Sequence, residues 1–328
     1  MPVIYSEFRS PWWMFNGDLQ TQLPVLLRRV KLASESLVIP TTDGDELSAN
    51  LYCSASERKK TLLILTHGLE GSNKQHYILG MAKAALESGV AGADVDVDVL
   101  AWNLRGCGSP SNNTEKLYFA GGSQDFDAVV VWAESNGYDN IYLAAYSLGG
   151  NIVLKWLGEQ GVSARARGIK AVCVASVPID LKACVTTLDR WRNMVYRLYF
   201  VTSMKWRLRR KAVQFFGKVD LSRYHQVNSF YSYDEIYSAP LNGFASVDKV
   251  HAAASAKYYL DKIDVPCLLV TAKNDPFLNS DCIPLSLAEQ HQMLTLEITN
   301  SGGHVGFLDN QREWWLDTRF LNFFKSLS

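Results

Sequence analysis

No stretch of about eighteen consecutive apolar residues occurs anywhere in the 328-residue sequence, which argues against a helix that crosses a bilayer. The opening residues MPVIYSEFRSPWWMFNGDLQ lack a basic flank running into an apolar core, so a secretory leader is not expected. Charge of one sign is missing too: lysine plus arginine and aspartate plus glutamate number 33 each. No overall field draws this molecule to nucleic acid or to an acidic polymer, and no nucleic-acid partner is expected. The six cysteines, at 53, 107, 173, 184, 267 and 282, form no CxxC pair. Several sit in apolar runs such as AVCVAS and VPCLLV, which suits reduced, packed thiols rather than disulfides or a zinc site. Repeats and low-complexity tracts are absent. These absences lead to the expectation of a soluble, cytoplasmic protein, and the length favours one α/β domain with an insertion over two independent folds.

From about residue 37 onward, apolar β-branched runs alternate with helix-patterned stretches. That alternation predicts a mostly parallel sheet with helices on both faces. Eight strands are expected, at 37–40, 47–53, 61–66, 96–102, 141–145, 171–177, 266–271 and 294–298. In the stretch 148–159, Leu148, Ile152, Val153, Trp156 and Leu157 share one face, so a helix starts directly after the fifth strand. The sixth and seventh strands are separated by almost ninety residues that do not look like one βα unit. A helical cap is expected there, over about 182–262. Its first part, 182–218, holds ten lysines and arginines against one acid, Asp189, interleaved with Trp191, Tyr196, Tyr199, Phe200, Trp206, Phe215 and Phe216.

The chemistry is concentrated in four short segments. Ala145-Tyr146-Ser147-Leu148-Gly149-Gly150 lies between the apolar run IYLA and the amphipathic helix, as a nucleophile elbow would. A sharp strand-to-helix turn brings backbone so close that only small neighbours fit, and Ala145, Gly149 and Gly150 are small. Read alone, Ser147 could simply cap a helix; the strand before it and the helix after it favour a nucleophile. Thr66-His67-Gly68-Leu69-Glu70-Gly71-Ser72 directly follows the strand run TLLIL. A phosphate cradle would need GxxxxGK[ST], which is absent. The loop fits an oxyanion hole instead, with the backbone amides of Leu69 and Leu148 as donors. His67 is expected to hold this loop by hydrogen bonding rather than to act as the base.

An acid and a base should follow in the chain order Ser, Asp or Glu, His. Asp275, in KNDPF after the run CLLVT, stands at the carboxyl end of a strand, where such groups gather. An Asp-Pro turn is the commoner meaning of that dipeptide by itself. His304, in SGGHVGF after the last strand, is chosen by elimination. His76 and His291 fall in helix-like stretches and His225 and His251 in the cap, so only His304 follows a late strand.

Segments along nearly the whole chain resemble the YheT-like α/β-hydrolases, relatives of the eukaryotic abhydrolase-domain lipases and the plant embryo-abundant hydrolases. They are PWWMFNGDLQT, HGLEGSNKQHY, NLRGCGSPSN, YSLGGNIVLKWLGE, ASVPIDL, KNDPF and GGHVGF. The resemblance implies an α/β-hydrolase fold, the triad Ser147, Asp275 and His304, and carboxylesterase or acylglycerol-lipase activity without metal or cofactor. It also implies that the Arg105-Gly106-Cys107-Gly108 turn shapes the floor of the site; His67, Gly68, Tyr146 and Gly149 are expected to shape its walls. Cys107 has no evident base beside it and reads as a structural thiol.

The expected substrate is a small-molecule acyl ester, with a lipid ester suited to an aromatic cap. A thioester or amide would use the same groups, and a non-catalytic binding protein of this fold is the alternative from another class. The basic stretch 182–218 has three readings, a face resting on an anionic membrane, a solvated helix whose arginines pack by their stems and, remotely, a nucleic-acid contact for which no recognisable module is present. The solvated helix is the favoured expectation.

Overall fold

In the computed structural model, residues 3–53, 60–90, 97–108 and 111–327 are described. Nine strands form one sheet: β1 (Val3–Tyr5), β2 (Glu35–Pro40), β3 (Glu46–Tyr52), β4 (Thr61–Thr66), β5 (Asp98–Trp102), β6 (Asn140–Tyr146), β7 (Ile169–Ala175), β8 (Cys267–Ala272) and β9 (Leu294–Thr299). Their spatial order is β1-β9-β8-β7-β6-β4-β5-β3-β2. Only β3 runs against its neighbours, β2 and β5; every other pairing is parallel. The eight expected strands are all present. The fourth was expected to begin at Asp96, which lies outside the described residues.

The ninth strand corrects the count of eight. β1 is three residues long and pairs with β9, Val3 opposite Leu296. So short a run shows no alternation to detect, and its pairing partner lies almost the whole chain away.

The central strands are buried on both faces, which explains why TLLILT is apolar throughout rather than alternating. Successive side chains still point to opposite sides. Leu62, Ile64, Leu143, Val172 and Val174 enter one core, while Leu63, Leu65, Ala144, Cys173 and Ala175 enter the other. Helix α1 (Gly17–Leu27) opens on Asn16, whose side chain accepts from the Leu19 N–H. The helices α2 (His76–Ser88), α3 (Ser123–Ser135) and α4 (Leu148–Gln160) follow β4, β5 and β6 in turn.

Between β7 and β8 the chain is helical and contains no strand. Its longer pieces are α5 (Leu181–Leu188), capped by Asp180, the 21-residue α6 (Met194–Gln214) and α7 (Val247–Ala254), capped by Ser246. The final helix, α8 (Trp315–Lys325), packs Phe320 and Phe324 against the second core. No helix among the described residues is long and apolar enough to cross a membrane.

Candidate active site

β6 ends where its backbone must turn at once into α4, and Ser147 makes that turn at φ 53° and ψ −127°. Non-glycine residues rarely adopt such a conformation, and it is sustained here by close packing on all sides. A Cβ on Gly149 would stand 2.3 Å from the His67 carbonyl oxygen, and one on Gly68 would stand 2.9 Å from the Ser147 Cβ. Glycine is therefore required at both positions. The turn leaves Ser147 Oγ facing a cavity above the carboxyl ends of β4, β6 and β8.

His304 Nε2 lies 2.7 Å from Ser147 Oγ, and its Nδ1 lies 2.8 Å from Asp275 Oδ2. An ionised carboxylate can only accept, so Nδ1 carries the proton and Nε2 presents its lone pair to the serine hydroxyl. The Asp275 side chain is 1% exposed. Its other oxygen, Oδ1, accepts from the Phe277 N–H at 2.8 Å, so the Asp-Pro turn itself aims the carboxylate. The Phe277 ring packs on the His304 imidazole, with centroids 4.4 Å apart.

His67 is fully buried and neutral. Leu104 N–H donates to its Nε2 at 3.1 Å, and Nδ1 donates to the Gly68 carbonyl at 2.8 Å. Burial depresses its pKa to about 4. It braces the loop and takes no part in the Ser147 chain. Tyr77 Oη accepts from the Gly68 N–H at 3.1 Å, which occupies that amide. Leu69 and Leu148 line the cavity beside Ser147. Leu148 is the first residue of α4, where backbone N–H groups have no intrahelical acceptor.

Of the residues expected to shape the site, Gly68 lines the cavity, whereas His67, Gly149, Tyr146 and Arg105 do not. Tyr146 is wholly buried behind the site, 4.8 Å from the Tyr77 ring and 5.8 Å from that of Phe320. Strand alternation sends it into the opposite core from Ser147's cavity. Arg105 also stays out of the cavity; its guanidinium meets Asp43, Asp45 and Asp125. The cavity wall above it comes from Tyr118, Phe119 and Ala120. Burial pushes the Cys107 thiol up to about 12, as suits a structural thiol.

The loop that carries His304 is held by residues that motif reasoning passed over. Thr21 Oγ1 accepts from the His304 N–H at 3.0 Å, and Gln20 Oε1 accepts from the Gly302 N–H at 2.7 Å and the Asn274 amide at 2.8 Å. Asn274 Oδ1 accepts in turn from the Gly303 N–H at 3.2 Å. Glycine permits the contact, since a Cβ on Gly306 would stand 1.9 Å from the Gln20 carbonyl oxygen. The segment PWWMFNGDLQT contains Gln20 and Thr21, and its only signal was resemblance without a role.

The cavity holds about 770 Å³ and is walled mainly by apolar side chains, among them Leu181, Leu188, Phe200, Met204, Phe230 and Phe277. Much of this wall comes from the helical segment between β7 and β8.

A family model described as the alpha/beta hydrolase family matches residues 63–317. The chain belongs to that family. This member of it is 29% identical to the Escherichia coli (strain K12) protein YheT, which carries an esterase name, over 96% of this chain and 92% of that one. It is 27% identical to the mouse (Mus musculus) phospholipase ABHD3, over 94% of this chain and 75% of the relative. Among solved structures, the Pyrococcus furiosus esterase Pf2001 shares the fold with a TM-score of 0.57 at 18% identity, covering 89% of this chain and 90% of that one.

Proposed function

We propose that this family member hydrolyses carboxylic esters through an acyl-enzyme, with Ser147 as nucleophile, His304 as base and Asp275 as its orienting acid. The observation that carries this reading is the continuous hydrogen-bonded series from Ser147 Oγ through His304 to Asp275 at 2.7 and 2.8 Å. As Oγ attacks the ester carbonyl carbon, its proton passes to His304 Nε2 and the carbonyl oxygen becomes an oxyanion. The Leu69 and Leu148 amides receive that charge, each worth about 3 kcal/mol of barrier where such donors have been removed. Collapse expels the alcohol, which takes the proton from His304. Water then attacks the acyl-enzyme with His304 again as base and releases the acid.

The apolar cavity suits an acyl chain, and the esterase and phospholipase names of the relatives favour an ester over a thioester or amide. The helices between β7 and β8, over about 182–262, act as the cap. A fluorophosphonate probe should label native protein at Ser147 and leave the Ser147→Ala variant unlabelled, with p-nitrophenyl ester turnover lost in parallel. Failure to label natively folded protein would overturn the reading in favour of a binding protein on this fold.

A further inference from the structure

A helix lying on a globular surface ordinarily turns polar residues outward. Helix α6 does not. Its buried residues Val201, Met204, Leu208 and Ala212 form one face. Val195, Tyr199, Trp206 and Val213 recur every four to seven residues on the opposite side, with Leu198 at its edge, and all five are between 55% and 77% exposed. Arg209 and Arg210 stand on that same outer face, exposed, and neither has a carboxylate partner among the described residues. The Arg210 guanidinium lies 4.7 Å over the Trp206 ring.

The stripe is continuous with the mouth of the cavity. Val195 and Tyr199 are exposed and also line it, as does Val25 of α1 across the opening. Beside Val25, Leu26 and Leu27 are exposed, and exposed Arg29 and Lys31 follow. The acid at this rim, Asp18, is engaged by Arg192 at 3.0 Å and by Tyr196 at 3.1 Å. The rim thus combines aliphatic side chains, Trp and Tyr, and uncompensated cations on a chain with no net charge.

We infer that the outer face of α6, with the end of α1, is a docking surface for an anionic lipid bilayer, and that the cavity opens onto that bilayer. Cations over interfacial aromatics match anionic headgroups, each near the surface contributing about 1 kcal/mol. Val25, Val195 and Tyr199 give an acyl chain an apolar route from bilayer to Ser147. The inference deepens the ester-hydrolase reading, naming where its substrate is taken from.

The full chain should co-sediment with vesicles of phosphatidylcholine mixed with phosphatidylglycerol about tenfold better than with phosphatidylcholine alone, and added salt should reverse this. The triple variant Trp206→Glu/Arg209→Glu/Arg210→Glu should lose that binding and lose turnover of a vesicle-embedded ester. Its turnover of a soluble short-chain ester should stay within about twofold, because none of the three residues lines the cavity. Equal binding to both vesicle types, no binding, or unchanged binding by the variant would overturn the inference. So would a wild-type dimer that the variant dissociates without any vesicle binding, which would make this face an interface between copies. Ser147→Ala separates the two proposals. Vesicle binding without turnover is expected of it, whereas turnover by it would sink the catalytic reading and leave the docking surface standing.

Discussion

The Arg207 guanidinium meets the Glu70 carboxylate at 3.1 Å, joining α6 to the loop that follows β4. The Glu70 side chain is 1% exposed, and its backbone adopts φ 53°, one residue beyond Leu69. Tyr118 Oη donates to the same carboxylate at 2.8 Å, as does Ser203 Oγ, and Arg207 also donates to the Gly106 carbonyl. Removing the cation would leave a buried charge without its counterpart. Arg207→Ala should cost about 3–5 kcal/mol in urea unfolding, and Glu70→Gln/Arg207→Met markedly less, because the double change removes both charges. Equal losses would show that packing, not charge, is what the pair supplies.

Asp275→Asn would keep the volume but present an amide where His304 Nδ1 needs an acceptor. A fall in kcat of about 10³–10⁴-fold is expected, with the thermal midpoint close to wild type. Steady-state kinetics beside calorimetry would separate a misdirected imidazole from a misfolded protein.

Thr21→Val is nearly isosteric and deprives the buried His304 N–H of its acceptor. About 1–3 kcal/mol of local stability should be lost. Because the base is displaced rather than removed, kcat should drop about tenfold while KM for a soluble ester holds. A change confined to KM would count against a positioning role.

Gly149→Ala would drive a methyl group to 2.3 Å from backbone, where no side chain can move aside. A cost of about 3 kcal/mol or more is expected, read as loss of soluble protein or a sharply lowered urea midpoint.

Acid should weaken the fold before it reaches the carboxylates. Burial lowers His67 from the ordinary 6.5 to about 4, so between these values the unfolded chain binds a proton that the folded chain excludes. The stability is full above pH 6.5 and declines as pH falls towards 4, by about 3 kcal/mol. His76, also lowered to about 4 by burial, acts in the same direction. Urea midpoints across this range should show the decline. His67→Asn, although weaker at every pH, should show a shallower slope.

What could be read from sequence followed the range of the physical signal. The eight longer strands announce themselves through local apolar runs, and Ser147, Asp275 and His304 through strand ends and glycines within a few residues of each. Their meeting in one hydrogen-bonded series was the expectation with the greatest reach. Tyr146 was set beside the site by proximity to Ser147 and Arg105 by resemblance, but strand alternation turns Tyr146 to the other face and three aspartates hold Arg105 away. β1, Gln20, Thr21 and the Glu70–Arg207 pair depend on contacts between distant segments, which no window of sequence displays. The outward apolar stripe of α6 was hidden for a different reason. The composition of 182–218 shows that apolar and basic residues mix, and only the burial of Val201, Met204 and Leu208 reveals which are left outside.

The bonds from Gln20 and Thr21 to Gly302 and His304 tie an early segment of the chain to a late one. On the ribosome, then, the serine turn can form while the base that would activate it has yet to be made. Under the roles proposed for Ser147 and His304, the site is completed only after the chain beyond β9 has emerged, because His304 lies five residues past Thr299.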